Sequence, residues 1–96
     1  MVIRVLAKRP DSDWYTTNIS NTLANMQRFV GGYIEAVGIF ANACIICNEE
    51  GRLRDLPYNY TIAGMDFFGD IFLCGTVDGE FVSIETPLKD WKEAIA

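Results

Sequence analysis

The sequence predicts an α+β fold, a small, mostly antiparallel sheet of about six strands with two helices in the order ββαββ–loop–ββα. Three observations carry this. Short runs rich in β-branched and aromatic residues recur along the chain. Two stretches place apolar residues at helical spacing. An Asp-Gly pair, Asp78-Gly79, separates two apolar runs, the strongest hairpin signal present. With 96 residues, 50% of them hydrophobic, one domain over residues 1–96 is expected, with core enough to fold without metals or disulfides.

Residues 2–7 read as a first strand through Val2, Ile3, Val5 and Leu6. Pro10 and the Asx residues Asp11 and Asp13 turn the chain. Residues 14–19 then return as a second strand, favoured by Thr16, Thr17 and Ile19. Ser20 is expected to cap a helix whose stripe is Leu23, Met26, Phe29 and Val30, with Gly31 as its left-handed stop. Residues 33–40 and 43–48 read as two strands joined by a tight turn at Ala41-Asn42. Residues 52–60 read as a polar loop, since Leu56 before Pro57 is driven out of helical geometry. Residues 61–69 read as a short helical turn or an irregular aromatic segment. Residues 70–77 and 80–85 form the Asp78-Gly79 hairpin. Thr86 then caps a last helix, with Pro87 in its first turn and Leu88, Trp91 and Ile95 on its buried face.

The formal net charge is −5. Acids and bases balance over residues 1–65, so the whole excess lies in residues 66–96, where seven acids face Lys89 and Lys92. That balance argues against direct nucleic-acid binding and describes a solvated acidic face; mimicry of nucleic acid is the sharper alternative, with few carboxylates for it. No apolar run reaches the ~18 residues of a membrane span. Histidine is absent, which removes His-based catalysis and His metal ligands. Cys44 and Cys47 share the CxxC spacing, but on a strand i and i+3 point to opposite faces, so the two thiols, like Cys74, are expected to be buried and metal-free. The odd cysteine count and the lack of a secretory leader predict a reducing cytoplasm.

No phosphate loop, nucleophile elbow or zinc-protease motif occurs, and no histidine stands by to activate Ser12, Ser20 or Ser83. The chain is therefore expected not to be an enzyme and to need no cofactor. Residues 48–59 mix acids, arginines and amides, as a ligand- or partner-reading loop does, although they also fit an ordered loop whose Leu53 and Leu56 plug the core. The candidate ligand-binding residues are Gly32, Tyr33, Asn48, Arg52, Arg54 and Asn59. Arg52 and Arg54 suit an anion because guanidinium grips carboxylate or phosphate with two parallel hydrogen bonds. Tyr58, Tyr60, Phe67 and Phe68 suit a core or a dimer contact.

Val30-Gly31-Gly32-Tyr33-Ile34-Glu35, then Ile46-Cys47-Asn48-Glu49-Glu50-Gly51-Arg52-Leu53 and Leu56-Pro57-Tyr58-Asn59, resemble the family of small proteins called DUF3846. The likeness runs over nearly the full chain and includes Gly69-Asp70-Ile71; residues 63–68 are richer in aromatics than the family's usual stretch. It implies an accessory protein of bacteria, phages and conjugative elements and supplies no activity. Two readings follow. One is an interaction module for an unknown protein partner, docking through residues 48–60, the acidic last third, or both. A homodimer through an edge strand or the aromatic segment would also protect an open sheet. The other is a binder of a small anionic ligand such as a nucleotide or nucleotide-derived signal.

Overall fold

The computed structural model describes residues 1–40 and 42–95. Eight strands and two helices follow in the order β1 (Val2–Lys8), β2 (Tyr15–Ser20), α1 (Leu23–Val30), β3 (Ile34–Phe40), β4 (Ala43–Asn48), β5 (Tyr58–Ile62), β6 (Met65–Phe68), β7 (Ile71–Val77), β8 (Glu80–Val82) and α2 (Leu88–Ile95). Six of the strands make one antiparallel sheet, ordered β2-β1-β7-β4-β3, with β8 also on β7. Gly75 pairs with Ala43 on β4 and with Val82 on β8, so β8 lies on the β1 side of β7. The expected α+β class and its mostly antiparallel sheet are what the chain adopts.

Strand alternation sorts the core into two halves, one on each face of this sheet. On one face Ile3, Val5, Ile19, Cys44, Ile46, Phe72 and Cys74 meet Met26, Phe29 and Val30 of α1. On the other Leu6, Trp14, Ile45, Cys47, Ile71 and Leu73 meet Ile62 and Phe67 of β5 and β6, and Leu88, Trp91 and Ile95 of α2. The strands β4 and residues 71–75 of β7 are buried on both faces, which is why they read as unbroken apolar runs.

Several expectations are corrected. Residues 58–68 are neither loop nor helical turn: β5 and β6 form a separate two-stranded antiparallel sheet. It turns at Ala63 (φ 52°) and Gly64 (φ 79°), the left-handed pair that matches hairpin twist. The α1 cap is Thr22, whose Oγ1 accepts from the Asn25 amide at 3.3 Å, while Ser20 closes β2 opposite Val2. Leu23 and Leu53 are 59% and 83% exposed, so neither belongs to the core. Trp91 N–H donates to Pro87 C=O at 3.2 Å, which puts Pro87 at the cap of α2 and Thr86 outside it. β8 ends at Val82, beyond which the chain crosses to β1, Ile84 N–H donating to Arg4 C=O at 2.9 Å. The turn expected at Ala41-Asn42 involves Ala41, outside the described residues. Asp78 (φ 50°) and Gly79 (φ 80°) make the expected hairpin turn.

Candidate functional site

The β5–β6 hairpin lies across one face of the sheet, with β5 by Lys8 and Trp14 and β6 toward β4 and β3. Between β6 and β3 lies a cleft of about 280 Å³, lined by Glu35 and Val37 of β3, Cys47 and Asn48 of β4, Glu49, Gly51 and Arg52, and Met65, Asp66, Phe67 and Phe68 of β6. Its charge is mostly negative, with Glu35, Glu49 and Asp66 against Arg52. Arg52 is already engaged: its guanidinium is 3.7 Å from Asp66 and lies over the Phe68 ring, 5.0 Å from the centroid.

The hairpin is held there by a buried polar staple. Asn59 Nδ2 donates to the carbonyls of Lys8 (2.8 Å) and Gly69 (2.7 Å). In return Lys8 Nζ donates to Asn59 Oδ1 at 3.0 Å and to the carbonyls of Asn59 and Arg9, both at 3.3 Å. Lys8 and Asn59 are 8% and 5% exposed. Three carbonyl-type acceptors and the Tyr60 ring, 5.5 Å away, take the place of a counter-ion. Such groups are costly to bury unless hydrogen-bonded, and here they are.

Asn48, which lines the cleft, does similar work. Its Nδ2 donates to Val30 C=O at 3.2 Å, and its Oδ1 accepts from Glu50 N–H at 2.8 Å. This explains Gly32: a Cβ there would meet Asn48 Nδ2 at 2.8 Å, closer than real contacts allow. The Gly31-Gly32 pair thus ends α1, Gly31 standing at φ 80°, and admits the Asn48 side chain.

Of the six candidate residues, Asn48 and Arg52 line the cleft. Gly32 backs Asn48, and Tyr33, 65% exposed, begins the approach to β3. Arg54 pairs with Glu50 at 3.6 Å on the surface. Asn59 is turned inward, its amide hydrogens both taken. Glu49, from the stretch 48–59, also lines the cleft; Met65 and Asp66 line it too and carry no signal of their own in the sequence, because only the unrecognised hairpin brings β6 beside β3.

The outer edge of β3 adjoins this cleft. Tyr33 C=O accepts from Glu49 N–H at 3.0 Å, and Glu35 and Val37 stand opposite Cys47 and Ile45. Hydrogen-bonded and non-hydrogen-bonded pairs alternate in an antiparallel ladder. The N–H and C=O groups of Ile34, Ala36 and Gly38 therefore point away from β4, and among the described residues they have no backbone partner. Phe40, past a bulge after Gly38, covers the far end against Trp91 at 5.3 Å.

The thiols are structural in their surroundings. Cys44 and Cys47 fall on opposite core faces. Burial, then the charge of Glu35, push the Cys47 thiol up to about 11. Cys44 Sγ is 3.8 Å from Cys74 Sγ across the strands; that hydrogen bond, then burial, raise the Cys74 thiol, while the same bond lowers Cys44. Among the described residues no three Cys, Asp or Glu side chains are placed to hold a metal ion, and no helix is long and apolar enough to cross a membrane.

Fold and site together define a small α+β protein with a stapled hairpin, an acid-lined cleft and an open sheet edge. The chain belongs to the family described as Domain of unknown function (DUF3846), whose model matches residues 3–95. No curated protein and no solved structure matches it.

Proposed function

We propose that this chain is a non-enzymatic interaction protein that captures a partner polypeptide along the open edge of β3. The observation that supports it is the edge itself. β3 has seven residues, Ile-Glu-Ala-Val-Gly-Ile-Phe, with one charge and no proline or lysine. Natural sheets commonly shield such an edge with charge, proline or a covering element, because unpaired N–H and C=O groups template strand addition. The absence of histidine and of a catalytic motif supports a binding role. The further assignment as an accessory protein of a phage or mobile element rests on the family resemblance.

The alternative reading, a binder of a small anionic ligand, draws on Arg52 in the cleft. It is the weaker one, because the guanidinium is paired and carboxylates outnumber it there.

The test is Ala36→Pro. The substitution removes an outward N–H and leaves the ladder to β4 intact, a position in an edge strand where proline is tolerated. The variant is expected to keep its fold by amide NMR and to lose strand-adding partners. An unchanged affinity for such a partner would refute the reading.

A further inference from the structure

We propose that the segment added to β3 is basic, and that the cleft beside the edge receives a lysine or arginine side chain from it. This rests on the edge-capture reading above and specifies its partner.

The register supplies the first step. Side chains of residues opposite one another in neighbouring strands lie on the same face of the sheet. Glu35 and Val37 point to the face that carries the hairpin, since they share it with Cys47 and Ile45, and both line the cleft. A strand laid against β3 therefore directs the residues opposite Glu35 and Val37 toward the same cleft.

The lining supplies the second. Glu35, Glu49 and Asp66 bring three carboxylates, and Arg52 offsets one of them. Val37, Met65, Phe67 and Phe68 form apolar wall. A carboxylate rim over an apolar wall fits a long cationic side chain, whose methylene stem lies on hydrocarbon while its head stays among acceptors. A small metal ion would leave that wall unused.

Charge complementarity decides between occupants. A second copy of the chain would bring another Glu35 to an acid-lined edge, and a further net charge of −5. A basic segment is instead attracted at long range and accommodated at contact.

The experiment is a selection of random peptides of about ten residues on the immobilised full chain. Affinities of an enriched peptide are then measured by fluorescence anisotropy. The expected result is a lysine or arginine at one fixed position, flanked at alternate positions by β-branched residues. Replacing that residue by methionine should weaken binding about tenfold, and so should the double variant Glu35→Gln/Asp66→Asn, on which the methionine peptide should bind no worse than the basic one. Ala36→Pro should abolish binding of both peptides. If that variant fails to fold, N-methylation of alternate peptide amides blocks the same backbone pairing without touching the protein. Edge-dependent binding without preference for a basic residue overturns this inference and leaves the edge reading standing. Binding insensitive both to Ala36→Pro and to N-methylation overturns both. Failure to enrich any peptide also overturns it; a dimer in sedimentation that Ala36→Pro splits would then assign the edge to a second copy.

Discussion

At the scale of single residues, the chain spends its amides on holding the cleft together. Asn59 joins β5 to Lys8 and Gly69, and its loss takes the side-chain donor from two carbonyls and one of three acceptors from the Lys8 ammonium in a water-poor place. Asn59→Ala is expected to destabilise the fold by about 3 kcal/mol in urea unfolding, the scale of leaving buried polar groups unpaired. An exposed amide such as Asn18 should cost little by the same measurement. Cys47 offers a second check. Its thiol is raised, so the folded state favours the neutral form; stability from this group is full below the unfolded thiol's value near 9.0 and is lost as pH climbs through about 11. Alkylation of native Cys47 by iodoacetamide should accordingly be slow at neutral pH. Glu35→Gln should shift its onset to lower pH, because one of the two causes of the shift is then gone. An unshifted onset would mean that burial alone sets this thiol.

The two hairpins show, at the scale of elements, what the sequence makes legible. Asp78-Gly79 carries its signature in residues that tolerate positive φ, and the structure has the turn there. Ala63-Gly64 makes the same kind of turn with an alanine at φ 52°, where alanine is uncommon. The turn signal is thus muted, although Tyr58, Tyr60, Thr61 and Ile62 are good strand formers. Pro57 and the mixed charges before it then drew the segment toward loop. With β6 unrecognised, Asp66 and Met65 were invisible as cleft residues, whereas Asn48 and Arg52 stood out by their own chemistry. Ala63→Asn should stabilise the protein by about 0.5–1 kcal/mol, since asparagine accepts the left-handed region more readily; a lower melting temperature would refute this account of the turn. The last helix has its own dependence. Asp13 is held below the ordinary 3.8 by its hydrogen bond from Lys92 and by the Trp14 amide. A lowered carboxyl contributes stability above its unfolded value and loses it as pH falls through the folded one. Acidification below about 4 should loosen α2, read as a change in tryptophan fluorescence that Asp13→Asn removes.

For the whole molecule, position in the strand order decides what each element does, and that order is non-local. β7 comes late in the chain and sits at the centre, bonded to β1, β4 and β8. β3 comes earlier and ends at the rim. Local sequence pattern distinguishes the largely apolar, buried β4 and β7 from the half-exposed β3, but says nothing about which flank stays open. The same order predicts an uneven stability. Phe72 is 0% exposed and meets Phe29 edge-on at 5.3 Å. Removing its ring opens a cavity in the most enclosed strand, at about 3–5 kcal/mol, a large share of the roughly 5–15 kcal/mol that holds a domain folded. Phe72→Ala should therefore lower the stability of the entire sheet together. Among the described residues the two-stranded β5–β6 sheet makes no ladder bond to the large one and is held by the Lys8–Asn59 staple and by Ile62 and Phe67. Hydrogen exchange on the wild-type chain should show β4 and β7 amides opening only with global unfolding, and β5–β6 amides opening at lower free energy. If the hairpin exchanges as slowly as β7, the cleft is as rigid as the core. If it opens first, as its attachments dictate, the wall over the β3 edge can yield to an incoming strand while the sheet that presents the edge stays intact.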